Sequence, residues 1–186
     1  MKFREIEIKF DASDIKLSDF VTLVESSFKV KKQLLVSSYD DYFVDAGGNF
    51  IRYRHKEGRG ELTIKRKLSE HNNNTRVEVN LPTEGNSLPA VTKFVELLGY
   101  NHNFCIYKTC TVYWVDNMVV VYYVVYDKEW KEQRRFIEIE ADEEIEWQSE
   151  DQALNEVAEC EKIFAALGLA PKNRLKKSLY EMFKKD

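Results

Sequence analysis

Charged residues in this sequence recur two apart within runs of apolar, largely β-branched residues. Near one end stands Glu5-Ile6-Glu7-Ile8-Lys9, and near the other Phe136-Ile137-Glu138-Ile139-Glu140. Between them come Arg52-Tyr53-Arg54, Thr63-Ile64-Lys65, Arg76-Val77-Glu78 and, further on, Lys108. Successive strand residues point to opposite faces, so each run carries an apolar face and a charged face. Carboxylate oxygens suit Mg²⁺ or Mn²⁺. Guanidinium and ammonium groups suit phosphate oxygens, arginine in bidentate fashion.

Two arrangements produce such alternation. One is a half-buried sheet with a solvated outer side, the commonest cause. The other is a sheet closed on itself with the charges inward. The order of the signs favours closure, because the acidic strands lie at the two ends of the chain and the basic ones between them. Closed, the lumen has an acidic sector of Glu5, Glu7, Glu138 and Glu140 and a separate basic sector. Neither sector tolerates desolvation alone, since isolated buried charge is very costly. A metal–polyphosphate ligand neutralises both.

The elements that must position these groups read as follows. Strands are predicted at Phe3–Phe10, Asp41–Asp45, Asn49–Lys56, Glu61–Lys67, Thr75–Leu81, Cys105–Val115, Met118–Tyr126 and Arg135–Ala141. Ala46-Gly47-Gly48-Asn49 and Asp116-Asn117 are hairpin turns, and Ser69–Thr75 is a hairpin loop. Helices are predicted at Asp19–Phe28, capped by Ser18; after Ser87 and up to Gly99; at Glu150–Leu167, stopped by Gly168; and at Asn173–Lys185. Roughly eight mainly antiparallel strands with helices between them make an α+β domain, and about eight strands close a barrel around one small ligand. The length of 186 residues is that of one domain, residues 1–186.

Composition narrows the function classes. A net charge of -4 gives no overall attraction to nucleic acid or to an anionic membrane. No apolar run is long enough for a membrane span, and Met1-Lys2-Phe3-Arg4-Glu5 lacks the apolar region of a signal peptide, so a cytoplasmic protein is expected. Cys105, Cys110 and Cys160 are odd in number and have no CxxC spacing, which argues against a disulfide framework. His55, His71 and His102 show no zinc spacing, so surface or loop roles are expected of them.

Glu5-Ile6-Glu7-Ile8-Lys9 resembles the ExExK signature of the CYTH family, the triphosphate tunnel metalloenzymes. The other segments follow in the family's order: Asp41-Tyr42-Phe43, Arg52-Tyr53-Arg54, Thr63-Ile64-Lys65, Arg76-Val77-Glu78, Lys108, Phe136 to Glu140, and Lys177-Ser178-Leu179-Tyr180. The resemblance implies a closed, mainly antiparallel eight-stranded β-tunnel with helices packed outside. It implies Mg²⁺ or Mn²⁺ on Glu5, Glu7, Glu138 and Glu140, and phosphate contacts from Lys9, Arg52, Arg54, Lys65, Arg76 and Lys108. Glu5, Glu7, Lys9 and Lys65 are then the catalytic set.

The implied activity is metal-dependent hydrolysis of inorganic, nucleoside or thiamine triphosphate. The alternatives are cyclisation of ATP to cyclic AMP and pyrophosphate, and a binding module that retains triphosphate without turnover. The layout looks most like the class IV adenylyl cyclase branch, which implies a homodimer. The chain departs from the family pattern at Cys110, where Lys-x-Arg is usual, and near Tyr123 or Asp127, where an aspartate is usual.

Overall fold

The computed structural model describes residues 4–57, 59–67, 75–83 and 85–184, without the side chains of residues 4, 65–67 and 75–77. Eight strands run in the order β1 (Arg4–Asp11), β2 (Val30–Val44), β3 (Phe50–Lys56), β4 (Arg59–Lys67), β5 (Thr75–Pro82), β6 (Asn101–Val115), β7 (Met118–Tyr126) and β8 (Glu132–Ala141). Helices α1 (Leu17–Ser27), α2 (Leu88–Leu97), α3 (Glu150–Phe164) and α4 (Leu179–Phe183) interrupt or follow them. The strands form a closed barrel in the order β1-β5-β4-β3-β2-β6-β7-β8, every neighbouring pair antiparallel. Pairing of β1 with β8, Glu7 opposite Glu140 and Lys9 opposite Glu138, joins the two ends of the sheet.

Apolar burial decides which face points inward. On the outer side of β1, Ile6, Ile8 and Phe10 pack with Phe20 and Val24 of α1 and with Ala153, Val157, Cys160 and Phe164 of α3. On the other flank Phe43, Ile51, Tyr53 and Leu62 pack under Val91 and Val95 of α2. Each large side chain so covered contributes about 2 kcal/mol of apolar transfer. The charged faces are left to the lumen. Glu5, Glu7 and Lys9 are all buried, which a solvated sheet face does not produce.

Three sequence expectations are corrected. The second strand begins at Val30, not Asp41, and its first half is largely exposed. Lys31-Lys32-Gln33-Leu34-Leu35-Val36 has no clean alternation, and pairing with β6, from Lys32 opposite Trp114 to Tyr42 opposite Phe104, holds it extended. The first helix is capped at Lys16 without a side-chain hydrogen bond, so Ser18 is not its cap. The helix predicted over Asn173–Lys185 is shorter. Residues 171–173 form a 3₁₀ turn, Arg174 bridges to Phe10, and α4 starts only after Ser178. Ser178 and Glu181 form a reciprocal capping box that fixes this start. Phe3, residues 69–74 of the predicted loop and Lys185 lie outside the described residues.

The predicted turns are in place. The Asp45 carboxylate accepts from the backbone N–H of Gly47 and Asn49, and Gly48 takes a left-handed φ of 78°. No helix among the described residues is long and apolar enough to cross a membrane.

Candidate active site in the barrel lumen

The lumen holds a cavity of about 240 Å³. On one side it is lined by Glu5, Glu7 and Lys9 of β1 and by Glu138 and Glu140 of β8. On the other it is lined by Arg52 and Arg54 of β3 and by Lys108 of β6. Glu61, Glu78 and Asn80 come from the strands between, and Tyr42, Phe50 and Tyr180 set an aromatic wall. The structure thus gathers in one space eight of the ten residues singled out from the sequence as metal, phosphate or catalytic groups. The side chains of the other two, Lys65 and Arg76, lie outside the described residues; their backbones pair with Glu78 and Glu5.

The acidic sector is held together by a cation of its own. Lys9 Nζ lies 2.8 Å from Glu138 Oε1 and 3.7 Å from Glu7 Oε1. The same Glu138 oxygen accepts from the Tyr123 hydroxyl at 2.9 Å. Burial and the neighbouring Glu138 push the Tyr123 phenol well above its ordinary range, so it stays a donor. Two carboxylates placed directly opposite, Glu7 and Glu140, would repel without positive charge nearby.

The donor set fits a hard divalent cation in kind, because these four side chains offer only oxygen. Among the described residues no three His, Cys, Asp or Glu groups already converge as a ligand cage. The Lys9 ammonium stands between Glu7 and Glu138, so closing a cage there requires these side chains to turn.

The basic sector has a counter-ion that the sequence reading missed. Asp40 is fully buried. It takes Nε and a terminal nitrogen of Arg54 at 2.9 and 3.1 Å, and Lys108 Nζ at 3.2 Å. Burial raises the Asp40 carboxyl, but Arg54, Lys108 and Arg52 lower it further, well below the usual carboxylate range. Lys108 is pushed down by burial and by Arg54, and Asp40 pulls it back up. Arg52 donates to Thr63 Oγ1 at 2.9 Å and lies 3.8 Å from Glu78. A strand read from Asp41 onward leaves Asp40 outside it, whereas β2 begins at Val30. Ser38, Asp40 and Tyr42 then share the inward face.

This arrangement, an acidic and a basic sector facing one another inside a closed eight-stranded barrel, is matched by a family model. The CYTH domain model covers residues 4–179. The chain belongs to the CYTH family. Among solved structures it resembles a conserved hypothetical protein of Pyrococcus furiosus, with 25% identity, TM-score 0.72, and coverage of 96% of this chain and 99% of the other. It also resembles a candidate adenylate cyclase of Vibrio parahaemolyticus (14% identity, TM-score 0.63, 97% of each chain). Another, from Bacillus halodurans, has 14% identity, TM-score 0.62 and coverage of 96% of each chain. These low identities show a shared fold. No similar sequence was found among curated proteins.

The departures from the CYTH pattern meet in space. Cys110 and Tyr123 are directly opposite on β6 and β7. Burial pushes the Cys110 thiol up while Lys108 and Arg54 pull it down, and the net shift is upward. Asp127 lies beyond the end of β7 and organises the Lys128–Lys131 turn through its carboxylate. Lys176 and Lys177 are exposed, and the cavity is bordered instead by Ser178, Leu179 and Tyr180. Arg174 anchors that segment on buried Glu161, and Leu175 N–H donates to Lys9 O at 2.7 Å. On the outer wall His55 and His102, which look unrelated in sequence, both meet the Asp41 carboxylate, at 2.8 and 2.7 Å.

Proposed function

We propose that this CYTH protein binds a triphosphate in its lumen and cleaves it by metal-assisted phosphoryl transfer to water. One observation carries the reading: Glu5, Glu7, Glu138 and Glu140 share one cavity with Arg52, Arg54 and Lys108, all on strands of a closed barrel. A cavity lined by both signs, with both signs buried, is stable when a ligand of both signs bridges them.

Glu5, Glu7, Glu138 and Glu140 would hold Mg²⁺ or Mn²⁺. When bound there, such a cation would supply neutralisation of charge on the phosphate oxygens. Arg52, Arg54 and Lys108, with Lys65 and Arg76, bind and orient the phosphate chain. Lys9, which stands inside the acidic sector between Glu7 and Glu138, would turn toward the phosphoryl group that carries developing charge, where a fixed cation stabilises the transition state. Glu5 or Glu7 orients the attacking water and accepts its proton. The barrel strands fix the backbone positions of these groups, so binding asks the Glu7, Lys9 and Glu138 side chains to turn and not the strands to move.

The test is a panel of inorganic, nucleoside and thiamine triphosphates with Mg²⁺ and with Mn²⁺, products identified. Metal-dependent orthophosphate release, lost in a folded Glu7→Gln variant, is expected. Cyclic AMP and pyrophosphate from ATP would replace hydrolysis by cyclisation in the same lumen. Tight metal-dependent binding without turnover would leave a binding module.

A further inference from the structure

Arg54 and Lys108 line the cavity, whereas Asp40, to which both are bonded, does not. Asp40 faces inward beside them, fully buried, with its two oxygens shared between the guanidinium fork and the ammonium. Ser38 Oγ donates to one of those oxygens at 3.4 Å. A carboxylate in this place cannot reach a ligand in the cavity without displacing its own partners. What it does reach is the orientation of both cations. We propose that Asp40 is a positioning residue: inside the barrel but outside the cavity lining, it holds Arg54 and Lys108 in the orientation and charge state in which they meet a phosphate group. The inference rests on the polyphosphate reading of the lumen given above.

The charge state follows from the neighbours of Lys108. Its ammonium faces Asp40 on β2, Arg54 and Arg52 on β3, and Cys110 on its own strand. The Tyr123 ring of β7 lies 5.0 Å away. Burial and the two guanidiniums oppose its charge, and Asp40 is the only full negative charge in that set. Remove the Asp40 charge, and the ammonium stands in a buried space beside two fixed cations, where its proton is lost more readily as pH rises. Arginine stays charged under the same conditions. Asp40 therefore matters to Lys108 chiefly through charge and to Arg54 chiefly through orientation.

The test compares binding of a non-hydrolysable triphosphate with Mg²⁺ to wild type and to Asp40→Asn, by calorimetry, from about pH 6 to about pH 9. Taking the ratio of the two affinities at each pH cancels the ligand's own titration. The variant should bind more weakly, and the deficit should grow by roughly tenfold across that range, the value of one charge-assisted contact. An equal affinity, or a deficit that does not change with pH, would overturn the inference.

Should Asp40→Asn fail to fold, the double variant Asp40→Asn/Lys108→Met removes one buried anion and one buried cation together. Its deficit relative to wild type should be independent of pH, and a deficit growing with pH would again overturn the inference. If wild type itself does not bind triphosphate, the reading of the lumen falls first. If wild type binds and Asp40→Asn matches it, only the role of Asp40 falls.

Discussion

Lys9 Nζ sits 2.8 Å from Glu138 Oε1, inside the acidic sector and not among the basic residues across the lumen. A resident ammonium beside carboxylates competes with a divalent cation for them. Lys9→Met should therefore tighten Mn²⁺ binding to the ligand-free protein by roughly tenfold, as expected for removing one nearby like charge. It should also lower triphosphate turnover by about a hundredfold. Electron paramagnetic titration of Mn²⁺ and a steady-state assay check the two effects. Unchanged Mn²⁺ affinity would show that Lys9 and the metal do not share ligands.

Tyr123 supports the same carboxylate. Its hydroxyl donates to Glu138 at 2.9 Å from a buried ring. Tyr123→Phe removes a hydrogen bond to a charged acceptor at little change in volume, and should cost about 1.5 kcal/mol in urea denaturation. An unaltered midpoint would mean that the Tyr123 hydroxyl does not help to fix Glu138.

Acid should expose the Asp40 cluster. Its folded pKa is depressed, so its contribution to stability is fully present above the unfolded value of about 3.9 and is lost as pH falls from there toward the folded value. Thermal midpoints recorded from about pH 7 down to about pH 3 should drop below about pH 4. The drop should be shallower in Asp40→Asn. Parallel curves would contradict the strong pairing seen in the structure.

The C-terminal segment depends on a remote ion pair. Arg174 Nε donates to Glu161 at 2.7 Å, and Glu161 is buried. Arg174→Met leaves that carboxylate buried without its partner, which should cost about 3 kcal/mol. It should also loosen residues 175–180, seen as faster amide exchange there than in the rest of the chain. Exchange raised uniformly would indicate global destabilisation without this local link.

Much of the site was legible in the sequence because strand periodicity is two. Once Glu5, Glu7 and Lys9 alternate with Ile6 and Ile8, their sharing of a face follows. The sign order along the chain pointed to closure of the sheet. What was not legible depended on contacts between strands. Asp40 lies in a strand whose first half, Lys31 to Ser37, is mostly exposed and so carries no burial alternation. The meeting of His55 and His102 on Asp41 needs the registers of three strands at once. Cys110 and Tyr123 read as two separate departures, and only the β6–β7 register shows that they face each other. The short α4 was signalled by Ser178 and Glu181 three residues apart, a capping box overridden by reading one longer helix.

The most direct measurement is a crystal structure of the protein soaked with Mn²⁺ and a non-hydrolysable triphosphate. The account predicts an anomalous Mn²⁺ peak among Glu5, Glu7, Glu138 and Glu140, with phosphate oxygens on Arg52, Arg54 and Lys108. A ligand bound on the outer wall, or a lumen that stays filled with water alone while the ligand binds elsewhere, would contradict it.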